Sequence, residues 1–334
     1  MRVLITGAAG FIGFHLARRL LQNGHGVFGF DAVTDYYEVR LKRDRLAQLQ
    51  ALGGFGFDEA PLEDVAALRQ AWIAADPEVV VHLAAQAGVR YSLENPRAYV
   101  SANLVGTFNV LDMAAGRPPA HLLIASTSSV YGANTAMPYA ETHKADLPLT
   151  LYAASKKVGE AMSHAYAHLH AMPTTALRFF TVYGPWGRPD MAPFKFVEAI
   201  RAGKTIDVYN QGDMSRDFTF VDDLVEGLSR LAACPPAAGQ SLGPEDSLSP
   251  VAPWRVVNIG AGAPTNLEDF ITALERRIGR KAKRRYLPMQ PGDAVRTFAD
   301  TTLLHRLTGY RPTTSLEAGV DALVSWHETY RPGA

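Results

Sequence analysis

Near-continuous apolar runs recur along the first 180 residues, separated by longer stretches of helical spacing. Val3–Thr6, Val27–Asp31, Val79–Leu83, His121–Ser126 and Thr174–Phe179 read as buried strands, and Arg255–Ile259 reads the same way. Phe11–Asn23 places Ile12, Leu16 and Leu20 on one side, and helical stretches follow near 37–51, 62–74, 99–115 and 150–171. Strands alternating with helices predict βαβ units and a parallel sheet. Strands apolar on both sides predict a sheet covered on both faces. After about residue 180 prolines and glycines punctuate the pattern and a smaller second lobe is expected. Residues 235–253, rich in proline, glycine and serine, read as a surface loop, a mobile connection without function. There is no internal repeat.

Composition narrows the function classes. The 334 residues carry 33 basic and 33 acidic side chains, which leaves no electrostatic footprint for nucleic acid or an anionic membrane. No apolar stretch approaches the roughly 18 residues that span a bilayer. Met1–Thr6 runs straight into glycines and has no signal-peptide character. One cysteine, Cys234, permits neither an internal disulfide nor a thiolate metal cluster. A cytoplasmic protein is expected.

Gly7-Ala-Ala-Gly10-Phe-Ile-Gly13 lies between the first strand and the first helix. Glycines allow the tight turn and bring backbone N–H groups, with the helix's positive end, against a pyrophosphate. Asp31 closes the second strand, 18 residues beyond Gly13. An acid there accepts hydrogen bonds from a ribose 2′-OH and repels a 2′-phosphate, so the turn predicts NAD rather than NADP. Arg40, Lys42 and Arg43 are expected on a solvated helix face.

Tyr152-Ala-Ala-Ser-Lys156 puts a phenol and an ammonium four residues apart, on one face of a helix. A neighbouring cation favours phenolate, so the lysine is expected to draw the tyrosine toward working pH. Upstream, Ser126-Thr127-Ser128-Ser129 ends a strand with a row of hydroxyls. Ligands of parallel sheets bind at the carboxyl ends of strands.

With these four features in order, the chain resembles the extended short-chain dehydrogenase/reductases, specifically the NAD-dependent nucleotide-sugar epimerases. Within them it is most similar to the UDP-glucuronate 4-epimerases. The narrower resemblance rests on Asp35-Tyr-Tyr37, Ala84–Ser92, Leu177–Met191, Arg216–Asp223 and Leu287–Asp293. It implies a Rossmann-type, doubly wound parallel α/β sheet with a smaller C-terminal substrate lobe. Residues 1–180, with a return segment at about 219–260, would bind NAD; 181–218 and 261–334 would bind the UDP-sugar. Thr127, Tyr152 and Lys156 would be catalytic. Gly7, Gly10, Phe11, Ile12, Gly13, Asp31, Leu83, Ala84, Ala85 and Asn103 would join Tyr152 and Lys156 around the cofactor. Ser128, Ser129, Thr181, Arg188, Val208, Tyr209, Arg216 and Asp293 would hold the substrate. Thr181 and Arg188 would meet the sugar's C6 carboxylate, Arg216 the diphosphate, Asp293 the ribose, and Val208 with Tyr209 the uracil. The implied reaction lends the C4 hydride of UDP-glucuronate to NAD and returns it to the other face, giving UDP-galacturonate. A homodimer through the helices near 99–115 and 150–171 is implied as well. A UDP-glucose or UDP-N-acetylhexosamine 4-epimerase, or a non-catalytic NAD(H)-binding protein on this fold, remain the alternatives.

Departures from the family pattern are informative. Related dehydratases and decarboxylases carry carboxylates where this chain has Ser128 and Ser129. Pro61 stands where the family has an Asp at the adenine, with Asp58 or Glu59 as substitutes. The alternative on the residues alone is that Arg188 pairs with Asp190, and Arg216 with Asp217 or Asp222. His164, His168 and His170 have no acidic or cysteine partner for a metal and read as a packed or solvated helix face. Lys281–Arg285 reads as a solvated basic turn. No metal is expected.

Overall fold

A strand flanked by parallel neighbours and roofed by helices must be apolar on both faces, and β1 (Arg2–Thr6) occupies that position. It pairs with β2 (Gly26–Asp31), Val3 opposite Val27, and with β4 (Val79–His82), Val3 opposite Val79. The computed structural model describes residues 1–290 and 292–332. Pro291, within the Leu287–Asp293 segment, and Gly333–Ala334, at the end of the substrate lobe, lie outside them. β3 (Phe55–Glu59), β5 (His121–Thr127), β6 (Thr174–Phe179) and β8 (Trp254–Ile259) complete a seven-stranded parallel sheet in the order β8-β6-β5-β4-β1-β2-β3. Helices α1 (Phe11–Gln22), α2 (Val39–Ala51), α3 (Val65–Ala75), α4 (Gly106–Gly116), α5 (Leu151–His170) and α7 (Val221–Leu231) lie between and beside these strands. This is a doubly wound, Rossmann-type α/β sheet. The order reverses between β1 and β4, which opens a crevice at their carboxyl ends.

The second lobe has its own apolar core. It is built from α6 (Ala192–Arg201), β7 (Thr205–Tyr209), α8 (Leu267–Ile278), β9 (Lys283–Leu287) and α10 (Leu316–Tyr330), around Val197, Ile200, Phe270 and Leu323. The helix α9 (Thr302–Thr308) departs from the expected division. Its Leu303 and Leu304 pack into the nucleotide-lobe core with Leu224 and Leu228 of α7. Within the basic run Lys283–Arg285 belong to a strand, β9, rather than a turn, and the exposed Arg285 is paired with Asp207.

Three local features depart from the sequence pattern. β3 is absent from the residue-by-residue reading because Gly56 interrupts a short, half-exposed run. The stretch 99–115 is not one regular helix. A π-helical turn, Val100–Val105, precedes α4 and brings Asn103 against the backbone of Gln86. Such wide turns concentrate at functional sites. The 235–253 connection has no helix or strand, yet it is fastened rather than free. Ser249 and the Val251 carbonyl bond His164 and His168 of α5, each at 2.8 Å, and the buried Asp246 carboxylate meets Arg255 at 3.0 Å.

α5 begins where Thr150 accepts a hydrogen bond from the Ala153 N–H, and it ends at Ala171, in the left-handed region. Tyr152, Lys156 and Glu160 lie four residues apart and share its sheet-facing side. Glu160 accepts from Arg178 of β6 through both oxygens, each at 2.9 Å, and from Ser126 of β5 at 2.6 Å. The Glu160 and Arg178 side chains are only 2% and 3% exposed. Burial works to raise the Glu160 pKa, but the Arg178 hydrogen bonds and charge prevail and hold it below the usual range. Glu160→Ala would leave a buried guanidinium without its anion. Denaturant unfolding should then show a loss of roughly 3–5 kcal/mol; a loss below about 1 kcal/mol would show that the pair does not fasten the helix.

Candidate active site

One cleft of about 1090 Å³ runs from the glycine turn across the carboxyl ends of the strands into the second lobe. At its cofactor end the Gly7 N–H donates to Phe30 O and the Gly10 N–H to Gly7 O, folding the turn under α1. A Cβ on Gly13 would stand 2.1 Å from Gly7 O, and one on Gly7 would stand 2.7 Å from Ala84 N, so neither position admits a side chain. Gly10 caps α1 without a side-chain acceptor, which leaves the first-turn N–H groups turned to the cleft. Phe11, Ile12, Gly13, Leu83, Ala84 and Ala85 also line it.

Asp31 lies at the end of β2 on the cleft wall. Its Oδ2 accepts from the Ala9 N–H at 3.0 Å and its Oδ1 from the Val33 N–H at 2.8 Å. Burial raises its pKa, against those bonds and the charges of Lys42 and Arg45. Each oxygen keeps a lone pair for a ribose hydroxyl. Lys42 is not on a solvated face. It is buried, lines the cleft, and donates to Thr34 O at 2.6 Å. Arg43 is spent on Glu59, and Arg40 lies near Asp44.

Ala60, Pro61, Leu62 and Glu63 line the cleft, whereas neither of the acids named as substitutes at Pro61, Asp58 and Glu59, is part of its lining, and Glu59 is held by Arg43. Glu63 accepts a hydrogen bond from Ser101. Asn103 does not reach the cleft. It is buried and holds the Gln86 backbone and the Ser155 hydroxyl, at 2.8–3.0 Å. It supports the site from below, and its polar atoms are already used.

Thr127, Ser128, Ser129, Tyr152 and Lys156 converge at the centre. Thr127 Oγ1 accepts from the Ser129 N–H at 3.2 Å and donates to Ser129 Oγ at 3.3 Å, which orders the row. Lys156 donates to Ala125 O at 2.9 Å and is brought down to about pKa 8 by burial. Tyr152 is raised above its ordinary value by burial; the hydrogen bond with Thr127 and the charge of Arg188 pull the other way. The lysine thus does not bring the phenol toward neutrality in the free protein. The partner that lowers it most is the Thr127 hydroxyl, one residue from Ser126, which Glu160 holds.

On the substrate side Thr181, Arg188, Tyr209, Arg216 and Asp293 all border the cleft. Val208 does not: its alternation along β7 turns it into the lobe's core, while Asp207 and Tyr209 face outward. Arg188 pairs bidentately with Asp190, and Tyr36 donates to the same carboxylate at 3.1 Å. Among the described residues Arg216 bonds no acid; its guanidinium caps the carbonyls of Ala294, Val295 and Ser215. Asp217 instead accepts from Ala261, Gly262 and Ala299 N–H groups, and Asp222 lies near His15 and Arg18. Asp293 meets Arg90 at 3.3 Å, and Arg90 lies over the Tyr209 ring. Sequence reasoning missed Arg90 and Asp207. The strand alternation that exposes Tyr209 was the signal for Asp207; nothing in the sequence pairs Arg90 with a residue 203 positions on.

The model of the NAD dependent epimerase/dehydratase family matches residues 3–241. A Rhizobium meliloti protein named "Probable UDP-glucuronate 4-epimerase" is 57% identical over 331 residues, 98% of this chain and 97% of its own. Among solved structures, the Bacillus cereus UDP-glucuronic acid 4-epimerase in complex with UDP-glucuronic acid and NAD superposes with a TM-score of 0.85. It is 32% identical and covers 99% of this chain and 100% of that one. The UDP-glucose 4-epimerase of Thermotoga maritima with UDP-glucose gives 0.84 at 27% identity, over 99% of both chains.

The buried lysine sets a pH test. The folded chain releases the Lys156 proton near pH 8, whereas the unfolded chain holds it to about 10.5. Between those values the unfolded state binds more protons, so this group makes stability rise with pH, and below pH 8 the gain is gone. Tyr152, raised above 10, opposes it only above pH 10. The denaturant midpoint of the cofactor-free protein should carry this rise from pH 8 to 10, and Lys156→Met should flatten it. An unchanged slope in the variant would assign the rise to other groups.

Proposed function

The chain belongs to the NAD dependent epimerase/dehydratase family, and from that premise we propose that it interconverts UDP-glucuronate and UDP-galacturonate at C4. The observation that carries this reading is the hydroxyl row facing Tyr152: Thr127-Ser128-Ser129 presents no carboxylate beside the reacting centre. Related dehydratases and decarboxylases carry carboxylates there, whereas epimerisation needs only a proton carrier and a place for the sugar to turn. The 1090 Å³ cleft, wide across both lobes, gives that room.

The residues present fit NAD. The uncapped α1 N-terminus and glycine turn suit its pyrophosphate, Asp31 a ribose diol, and Lys156 the second ribose. When bound, NAD takes up and gives back the hydride of the sugar's C4. Tyr152 receives the proton of the 4-OH and later returns it. Thr127, beside the same phenol, holds the C4 oxygen as alcohol or carbonyl. Ser128 and Ser129 hold the sugar, and Thr181 and Arg188 its C6 carboxylate. Arg216 and Asp293 serve the diphosphate and ribose of UDP, with Tyr209 at the uracil.

Positioning of the carboxylate is the demanding part. Oxidation at C4 makes a β-keto acid, which loses CO2 when the carboxylate bond stands perpendicular to the carbonyl plane. Thr181 and Arg188 keep it out of that orientation.

The NAD-binding lobe comprises 1–180 with 219–260 in this reading, and 181–218 with 261–334 the substrate lobe, α9 excepted. Val105, Phe108 and Val158, each more than a third exposed on α4, α5 and the turn before them, support a homodimer through these helices. The lone Cys234 supports a cytoplasmic location. No helix among the described residues is long and apolar enough to cross a membrane.

Tyr152→Phe should retain NAD and lose at least ~100-fold in epimerisation; near-normal turnover would remove Tyr152 from the mechanism. Wild type given UDP-glucuronate should yield UDP-galacturonate and almost no pentose. Thr181→Val should turn over more slowly and release 4-keto-pentose and CO2 above the wild-type level. Efficient turnover of UDP-glucose with UDP-glucuronate ignored would overturn the substrate assignment, as would wild-type product that is mostly pentose.

A further inference from the structure

Arg45 is fully buried and forms no ion pair among the described residues, an uncommon state for a guanidinium. Its hydrogen bonds all go to neutral oxygens, on two separate parts of the site. Nη1 donates to Ala9 O at 2.9 Å and to Tyr37 Oη at 2.8 Å. Nη2 donates to Trp186 O at 2.6 Å and to Gly187 O at 3.4 Å. Ala9 lies inside the glycine turn; Trp186 and Gly187 immediately precede Arg188.

Both ends are constrained in ways that make this bridge consequential. The Ala9 peptide is gripped from two sides, its N–H by Asp31 and its carbonyl by Arg45. Trp186 sits at φ +59°, a region that non-glycine residues rarely adopt. Its ring is wedged among Phe14, Trp326 and Tyr330 at centroid distances of 4.9–5.6 Å. A residue held in that region persists because its surroundings over-determine it. A second tie runs parallel to the first: Tyr36, next to Tyr37, donates to Asp190, the partner of Arg188. The segment after β2 and the loop bearing Arg188 are therefore tied at two places.

We propose that Arg45 is a positioning residue that locks the Trp186–Arg188 loop to the cofactor turn, coupling NAD retention to recognition of the sugar's carboxylate. This rests on the UDP-glucuronate reading above for the identity of the sugar, and on the geometry alone for the lock. Because such coupling is reciprocal, loosening the lock weakens both ends.

The test uses the NAD-loaded protein and two variants. Arg45→Met keeps an unbranched apolar stem and removes every donor. Arg45→Lys keeps the charge but lacks the planar fork that reaches two carbonyls at once. NAD per chain after prolonged dialysis is read by mass spectrometry. The ratio of the UDP Kd to the UDP-glucuronate Kd is read by calorimetry. Both variants should shed NAD faster, and the ratio should fall by about tenfold, within the usual range of site-to-site coupling, while the UDP Kd stays put. Wild-type retention and ratio in either variant overturn the proposal, so Arg45→Lys decides if Arg45→Met does not fold. Equal weakening of UDP and UDP-glucuronate also overturns it, because a general loosening would move both. If the wild type binds UDP-glucuronate no tighter than UDP, the substrate reading fails instead; dialysis then decides the lock, and undiminished NAD retention overturns it.

Discussion

The site depends on a carboxylate that touches none of the reacting atoms. Glu160 is shared by Arg178 of β6, Ser126 of β5 and Lys157 of its own helix, and it sets how α5 lies across the strand ends. Everything the chemistry uses at the centre is counted from that contact. Lys156, one turn earlier, reaches Ala125 O, and Tyr152, a further turn earlier, reaches Thr127. A buried pair of this kind contributes little net stability against an apolar replacement, but it is intolerant of losing one partner. Its value here is geometric: it fixes which turn of the helix meets which residue of the strand.

The same burial that makes the geometry rigid shapes the proton chemistry. Burial disfavours the charged form of both groups: Tyr152 is pushed up and stays a neutral phenol, while Lys156 is pushed down to about 8 and is still mostly protonated at neutral pH. The centre of the free cleft thus pairs a neutral phenol with an ammonium whose proton burial has made easier to lose. Charge at the walls is steadied by partners, Asp31 by two backbone N–H groups and Arg188 by Asp190.

The β-strands of the sheet were legible because near-continuous apolar runs bounded by glycine and proline have few other solutions. β3 escaped because Gly56 and Asp58 break its run. The π-helical turn at 100–105 escaped because apolar spacing does not distinguish it from a regular helix. The convergence of Tyr152 and Lys156 on one helix face, and the glycine turn, were legible because these contacts are local: four residues along one helix, or one strand-to-helix turn. Contacts that join distant segments were not. Arg216 capping three carbonyls, Arg90 against Asp293 and Arg45 against Trp186 have no signature in spacing. Val208 was misplaced by one residue of strand alternation, which is the whole difference between the cleft and the core.

The order of the strands also governs how the chain is made. β8, which covers the outer edge of β6, comes from residues 254–259, after α6, β7, α7 and the long 235–253 connection have been synthesised. At roughly 5–20 residues per second, the ribosome leaves the apolar edge of β6 without its neighbour for several seconds. That edge presents free N–H and C=O groups along Thr174–Phe179, a template on which a neighbouring nascent chain could pair. The nucleotide lobe therefore cannot finish as an independent N-terminal unit. The 235–253 connection, fastened onto α5 through Ser249 and Val251, leads directly into that last strand.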